Sequence, residues 1–497
     1  MKLGSKCGRA VMRTAWLLSV TGLTLLTGCA VGPRYAKPNA PAPPAYKEVP
    51  PNWKTAQPSD QVAKGKWWEV FQDAQLNALE EQINVSNQTL KAAQAQFEQA
   101  RAAVRINRSA EFPDVTAGVS ATRNKLSKNR PNGRLSPTTT YTDLQLPLDA
   151  SYEVDVWGRV RKTVEAARAN AQATAADLEN VSLSLHAELA SDYFQLRALD
   201  AETQLLNSTV AAYEKALELT RNRYSGGVVS QVDVAQAETQ LETTRAQAVD
   251  LGVQRAQFEH AIAVLIGQPA PSFALAVSPQ VSAPPVVPIG VPSELLERRP
   301  DIAGNERRMA GANAQIGIAR AAYFPTITLS ASGGFEGTSI TNWFNGPSGF
   351  ITAGASAIGT VFDAGRRKAV NDQARAAYAQ SVANYRETVL GAFQDVEDSL
   401  AALRLLEDEA KTQDAAVASA QHSLELSTNR YKGGVATYLE VITAQSIALT
   451  DQRVAVEISG RRMAASVSLI KALGGGWNAT DLPMVQKDAH PTASSGQ

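Results

Sequence analysis

The chain has 497 residues, 44% hydrophobic and 6% aromatic, with 48 basic and 48 acidic side chains that balance to zero formal charge. This length implies several domains or one large repetitive architecture, and the charge balance argues against a nucleic-acid binder. Two cysteines and four scattered histidines (His186, His260, His422, His490) leave no disulfide framework, no multi-ligand zinc site and no recognisable catalytic arrangement, and no apolar run is long enough for a transmembrane helix.

The chain opens on an address. Lys2, Lys6, Arg9 and Arg13 form a basic region, followed by an apolar stretch over 15–26 and the junction Leu26-Thr27-Gly28-Cys29. The stretch is too short to span a membrane and reads as a secretory leader. Its end resembles the lipobox of bacterial lipoproteins, which implies removal of residues 1–28 and a covalent N-terminal lipid on Cys29; the alternative is an ordinary signal peptide with a chance cysteine. Several acyl chains, at about 0.8 kcal/mol per buried methylene, anchor a protein stably. No other cofactor is expected. Ala30 stands after the cysteine where such lipoproteins carry Asp for inner-membrane retention, so the resemblance favours the outer membrane. Cleavage leaves 44 basic against 48 acidic residues and, with Cys7 gone, no internal disulfide. Residues 29–73 read as a lipid-anchored tether, with eight prolines between 33 and 58.

The rest of the chain repeats itself. Residues 217–234 match residues 424–441 at ten of eighteen positions, an offset of 207 that also pairs Gly158-Arg159 with Gly365-Arg366 and Gly267 with Gly474. Phe112-Pro113 pairs with Phe324-Pro325 at an offset of 212, so a five-residue difference falls between. The units are 74–267 and 293–475, joined by the linker 268–292 with its seven prolines, and 476–497 reads as a disordered tail.

Each unit starts with a helical stretch, 74–110 and 293–322, after which the period shifts from 3.6 to 2. Apolar and polar residues alternate over 115–122, over 143–152, and again over 327–335 and 351–357, with polar loops near 123–139 and 337–348. Runs of about ten residues suit tilted transmembrane strands, although a half-buried strand of a soluble sheet has the same pattern. Pro147 implies a bulge or a strand end. A helical pattern uninterrupted by proline follows over 158–222 and 365–429, about 97 Å long at 1.5 Å per residue. It ends at Tyr224, Gly226 and Gly227 in the first unit and at Gly433 and Gly434 in the second. Ser230 with Asp233, and more cleanly Thr437 with Glu440, reads as a capping box that starts the returning helices 228–266 and 435–473. These are shorter than the outgoing helices, so the first helix of each unit is expected end to end with them.

Four amphipathic strands cannot close a barrel, since the smallest single-chain form has eight, and open edges in lipid are costly. Two chains would give eight strands and three would give twelve.

Lys66–Asp73, Ser151–Arg159, Ala312–Gly317, both tip turns and above all Leu295-Leu296-Glu297-Arg298-Arg299-Pro300-Asp301-Ile302 resemble the TolC family of outer-membrane factors, in its lipidated OprM/NodT-like efflux subgroup, over residues 29–475. The resemblance implies a mainly α fold with a small transmembrane β part. A homotrimer would share a twelve-stranded barrel, four strands per chain, continued by a long periplasmic α-helical barrel. It implies a passive channel of a tripartite efflux system, with a periplasmic adaptor and an inner-membrane pump of the RND type as partners; a structural coiled-coil envelope lipoprotein is the alternative. It also implies a periplasmic aperture at Tyr431, Leu439 and Glu440, with Asp233 the repeat counterpart of Glu440, and adaptor docking at Tyr224, Gly226, Gly227, Gly433 and Gly434. Thr443 and Ala436 depart from relatives that carry a ring-forming Asp and a gate-linking Arg there. Trp67, Trp68, Phe71 and Trp157 read as packing anchors, and Arg298, Arg299 and Asp301 as an ion-paired helix start or a solvated face.

Overall fold

The computed structural model describes residues 31–39, 43–49, 65–127, 140–279, 283–287, 292 and 295–482. Cys29, the leader, most of the first polar loop and the end of the tail lie outside the described residues.

The alternating segments form one antiparallel sheet: β1 (Asp114–Ala117), β2 (Ser120–Lys125), β3 (Thr140–Val154), β4 (Thr326–Gly337) and β5 (Gly349–Ile358), with β1 and β2 both on the outer side of β3. The register decides what the sheet is for. Val115 pairs with Ala150 and Ala117 with Leu148; Ala150 and Tyr152 pair with Ala331 and Leu329, which pair in turn with Ala353 and Ala355. On the opposite face Thr116 meets Asp149, Asp149 meets Ser332, and Ser332 meets Thr352. Because side chains alternate with period 2, one face is apolar across β1, β3, β4 and β5 and the other polar, while β2 puts Ala121 but also Arg123 and Lys125 on the apolar side, opposite Leu144, Thr142 and Thr140.

Pro147 corrects the expectation of a bulge or strand end. β3 runs through it without a break, opposite Gly334, and the interruption falls on the neighbouring strand between Ala117 and Ser120. The proline carbonyl still accepts from the Gly118 amide at 3.1 Å. Pro147 has no N–H to give back, so the ladder lapses there without any shift of register.

The helices follow the repeat. Repeat 1 has α1 (Ala74–Ser86), α2 (Gln88–Ser109), α3 (Arg159–Ser225) and α4 (Gln231–Leu265); repeat 2 has a single turn Leu295–Arg298, α5 (Pro300–Ala321), α6 (Arg366–Lys432) and α7 (Tyr438–Ala472). α3 and α6 have 67 residues each, about 100 Å at 1.5 Å rise. The expected single helices 74–110 and 293–322 are each split in two. Asn87 makes the first break: its Oδ1 caps α2 by accepting from Leu90 N at 2.8 Å, and its Nδ2 donates to Leu265 O at the end of α4, 2.7 Å away. Ser86 Oγ donates to Ile266 O. The first helix of the unit and the returning helix therefore meet end to end, as their lengths required. Gly267 and Gly474 sit in these two joints at φ +71° and +91°, where a Cβ would run into the carbonyl oxygen of Ser86 or Arg298.

The largest apolar core lies at the level of the joints, around Trp67, Leu76, Ile83, Leu189, Leu196 and Ile262, with Val396, Leu400 and Leu469 from the second repeat. The segment before Trp67 is more than a free tether. Val31 N donates to Trp157 O, Tyr46 is buried in this core, and the Lys47 and Glu48 amides donate to the Glu397 carboxylate at 2.8 and 3.0 Å. Residues 31–39 and 43–49 form a strap laid along the helices.

Candidate functional site

Two ends of the molecule matter, the sheet and the hairpin tips. At the sheet, aromatic pairs stand at both ends of the strands: Trp157 stacks on Phe324 at 4.6 Å and donates to Pro325 O, while Phe335 meets Phe344 edge-on at 5.6 Å. Aromatic girdles flanking an apolar band are the signature of a membrane barrel. The sheet is open within one chain, with β1/β2 at one edge and β5 at the other.

At the tips, α3 turns into α4 at Gly226-Gly227, and α6 into α7 at Gly433-Gly434. Gly227 and Gly434 take φ +71° and +78°, the left-handed conformation that ends a helix. The first tip has the full capping box, with Ser230 Oγ accepting from Asp233 N and Asp233 Oδ2 accepting from Ser230 N at 2.9 Å. The second, expected to be the cleaner copy, has none: the Thr437 side chain makes no cap bond. The longer Glu440 side chain instead lies 3.8 Å from Arg430 Nη1. Glu440 is thus free of the capping role, while Asp233 is committed to it.

Tyr431 does not stand on the surface as an aperture residue would. It is buried in a small core with Tyr213, Leu217, Tyr438 and Val441, its ring 5.2 Å from that of Tyr438. Burial pushes the Tyr438 hydroxyl up to about 12. Leu439 is 57% exposed, and Tyr224, Val228, Val232 and Val435 of the two tips are exposed as well. Sequence reasoning missed Arg223. Its guanidinium lies 4.5 Å over the Tyr431 ring and donates to Tyr431 O at 2.8 Å, tying the first hairpin to the second. The signal was the Asn-Arg-Tyr triplet shared by both tips, although its second arginine, Arg430, takes Glu440 instead.

The other singled-out residues hold the middle together. Trp67 and Trp68 are 2% exposed, and Trp68 stacks on His186 at 4.4 Å. Arg299 forks onto Asp301 and reaches Asp395 at 2.9 Å, so this is an ion-paired helix start. Arg197, Asp200 and Arg255 form a second buried network that fastens the Leu275, Ala276 and Ser278 backbone to α3 and α4. Among the described residues no group of His, Cys, Asp or Glu is placed to hold a metal, and no helix is apolar and long enough to cross a membrane.

An amphipathic sheet with two open edges, set on helices about 100 Å long, defines an outer-membrane channel protein. The family model described as outer membrane efflux protein matches residues 79–268 and 291–475, both repeats, and the chain belongs to that family. It is 32% identical over 478 residues to the pyoverdine export outer membrane protein OpmQ of Pseudomonas aeruginosa, covering 95% of this chain and 100% of that one. It is 32% identical over 462 residues to the toluene efflux pump outer membrane protein TtgC of Pseudomonas putida, covering 93% and 95%. The solved outer-membrane channel OprN superimposes with a TM-score of 0.82 at 28% identity, over 90% of this chain and all of the other. The protein is therefore the outer-membrane channel of an efflux system, with a large periplasmic part, not an enzyme. It works with an adaptor and an inner-membrane pump.

Proposed function

We propose that three copies of the chain, each anchored by a lipid on Cys29, close a twelve-stranded barrel and a continuous helical tube through which an RND-type pump discharges. The observation that carries the proposal is the register of the sheet: one apolar and one polar face, each running across the strands of both repeats to edges that only another copy can pair. The strap supports the anchor, because Val31, two residues after Cys29, is hydrogen-bonded at the base of the sheet. Relatives export molecules as unlike as pyoverdine and toluene, which fits a passive conduit whose cargo is chosen upstream. Mass spectrometry of the membrane-extracted protein should show a triacylated Cys29 and a trimer; an unmodified N-terminus contradicts the anchor, and a conducting monomer contradicts the assembly.

The aperture, on this reading, is made by Leu439 and Glu440, with Tyr431 as their buried support and the two Gly-Gly turns meeting the adaptor. A threefold axis would bring three carboxylates into one constriction, whose focused field favours cations. Glu440 holds no cap bond, and its exposed contact with Arg430 is worth under about 1 kcal/mol. Glu440→Gln should therefore lower cation preference at little cost in stability, whereas Leu439→Ala should raise conductance with selectivity altered less. Planar-bilayer recordings decide; unchanged selectivity and conductance in both variants would leave these residues as helix-start scaffold.

A further inference from the structure

Between the two hairpins of one chain, α3 and the α6–α7 pair enclose a cleft of about 530 Å³. Leu205 and Leu219 line it from α3, Leu424 from α6 and Leu449 from α7. Its charged lining is of one sign: Lys215 and Lys432 stand in it, no carboxylate does, and neither lysine has an ion pair among the described residues. Gln445 Oε1 and Tyr431 Oη, on lining residues more than nine-tenths buried, have no hydrogen-bond partner. An unpartnered buried polar atom costs about 1–3 kcal/mol, so a ligand that supplies the missing partner has a built-in advantage. The volume lies within the range of about 300–1,000 Å³ found for small-molecule sites.

We propose that this cleft binds a soluble anionic amphiphile. The compact apolar body lies against the leucines, the acidic head reaches Lys215 and Lys432, and a hydroxyl or N–H on the body donates to Gln445 Oε1. A membrane lipid is the wrong source for this chemistry, since Leu205 lies about 70 Å along α3 from the sheet at 1.5 Å per residue.

The test uses the full-length protein in nanodiscs of zwitterionic lipid, titrated with the fluorescent anion 8-anilinonaphthalene-1-sulfonate and, for comparison, the neutral N-phenyl-1-naphthylamine. The anion should bind saturably at one site per chain. Lys215→Gln/Lys432→Gln should weaken it roughly tenfold, the effect of losing two exposed charge contacts, and leave the neutral probe unchanged. Ala212→Trp blocks the cleft from an exposed lining position and should abolish the saturable phase for both probes while the oligomer stays intact. Saturable anion binding that survives either variant unchanged, or binding without saturation in the parent protein, overturns the proposal. Both readouts are independent of conductance, so the aperture assignment and this site stand or fall separately.

Discussion

His186 is closed in by Trp68 on its face, Glu80 at 2.6 Å from Nδ1 and Asn84 at 3.3 Å from Nε2, with Glu81 the nearby charge. Burial holds the imidazole down to about 4 and keeps the Glu80 carboxyl well above the usual carboxylate range. While Glu80 stays protonated the pair shares its proton, Glu80 donating to Nδ1 and Nε2–H donating to Asn84. In the unfolded chain the two groups titrate near their ordinary values of 4.5 and 6.5. As pH falls from 6.5 to about 4, the lowered His186 loses its stabilising contribution; as pH rises above 4.5, the raised Glu80 loses its own. Between 4.5 and 6.5 the two contributions oppose each other. Above 6.5 His186 no longer contributes, and stability should fall with rising pH for as long as Glu80 stays protonated. Glu80→Gln keeps a donor to Nδ1 and should remove this alkaline loss. Apparent melting of the oligomer between pH 6.5 and 8.5 checks it: the parent should lose stability relative to Glu80→Gln, and parallel curves would contradict the shared proton. No part of this pair was legible in the sequence, because Glu80 and His186 lie on separate helices with no spacing rule between them.

At the scale of elements the repeat was the strongest signal. An offset of 207 made both hairpins visible, and α3 and α6 come out with the same 67 residues. The mismatch in length between outgoing and returning helices foretold the end-to-end joints. The breaks at Asn87 and Arg299 carry single-residue signals only: Asn87 is a favoured N-cap whose amide Leu265 O claims, and Pro300 at the first position of α5 bars the helix from running through. The copies also diverge where the sequence made them look alike: Asp233 closes a capping box, and Glu440, one methylene longer, does not. Tyr431 kept its place in the repeated motif but turned inward, because burial of its ring against Tyr213 and Tyr438 outweighs exposing it at the tip. The joints supply the sharpest prediction at this scale. Gly267→Ala and Gly474→Ala each force a Cβ into a carbonyl at positive φ, and each should cost about 1–3 kcal/mol. Gly252, with open space around it in the middle of α4, should accept Ala without loss. Heat resistance of the oligomer, compared across the three variants, separates joint strain from a general effect of alanine.

For the whole molecule, the alternation of four short segments was legible as strands of transmembrane length, but alternation by itself does not separate them from a soluble half-buried sheet, which has the same pattern. Register is what distinguishes them, and register depends on pairing partners far apart in the chain, as in Tyr152 opposite Leu329. With pairing in place, the apolar residues of both repeats share one face, and the polar face is left to line the pore. Aromatic pairs at both ends of the strands agree. No cysteine follows Cys29 in the sequence, so single cysteines placed in the sheet report cleanly on each face. The most direct test is a planar-bilayer recording of Ser330→Cys and Ala331→Cys, neighbours on β4 whose side chains point to opposite faces. A bulky, water-soluble, charged thiol reagent should reduce conductance stepwise in Ser330→Cys and leave Ala331→Cys unaffected. Block through Ala331→Cys with Ser330→Cys silent, or no conducting steps from the parent protein, would contradict a pooled barrel with its polar face inward.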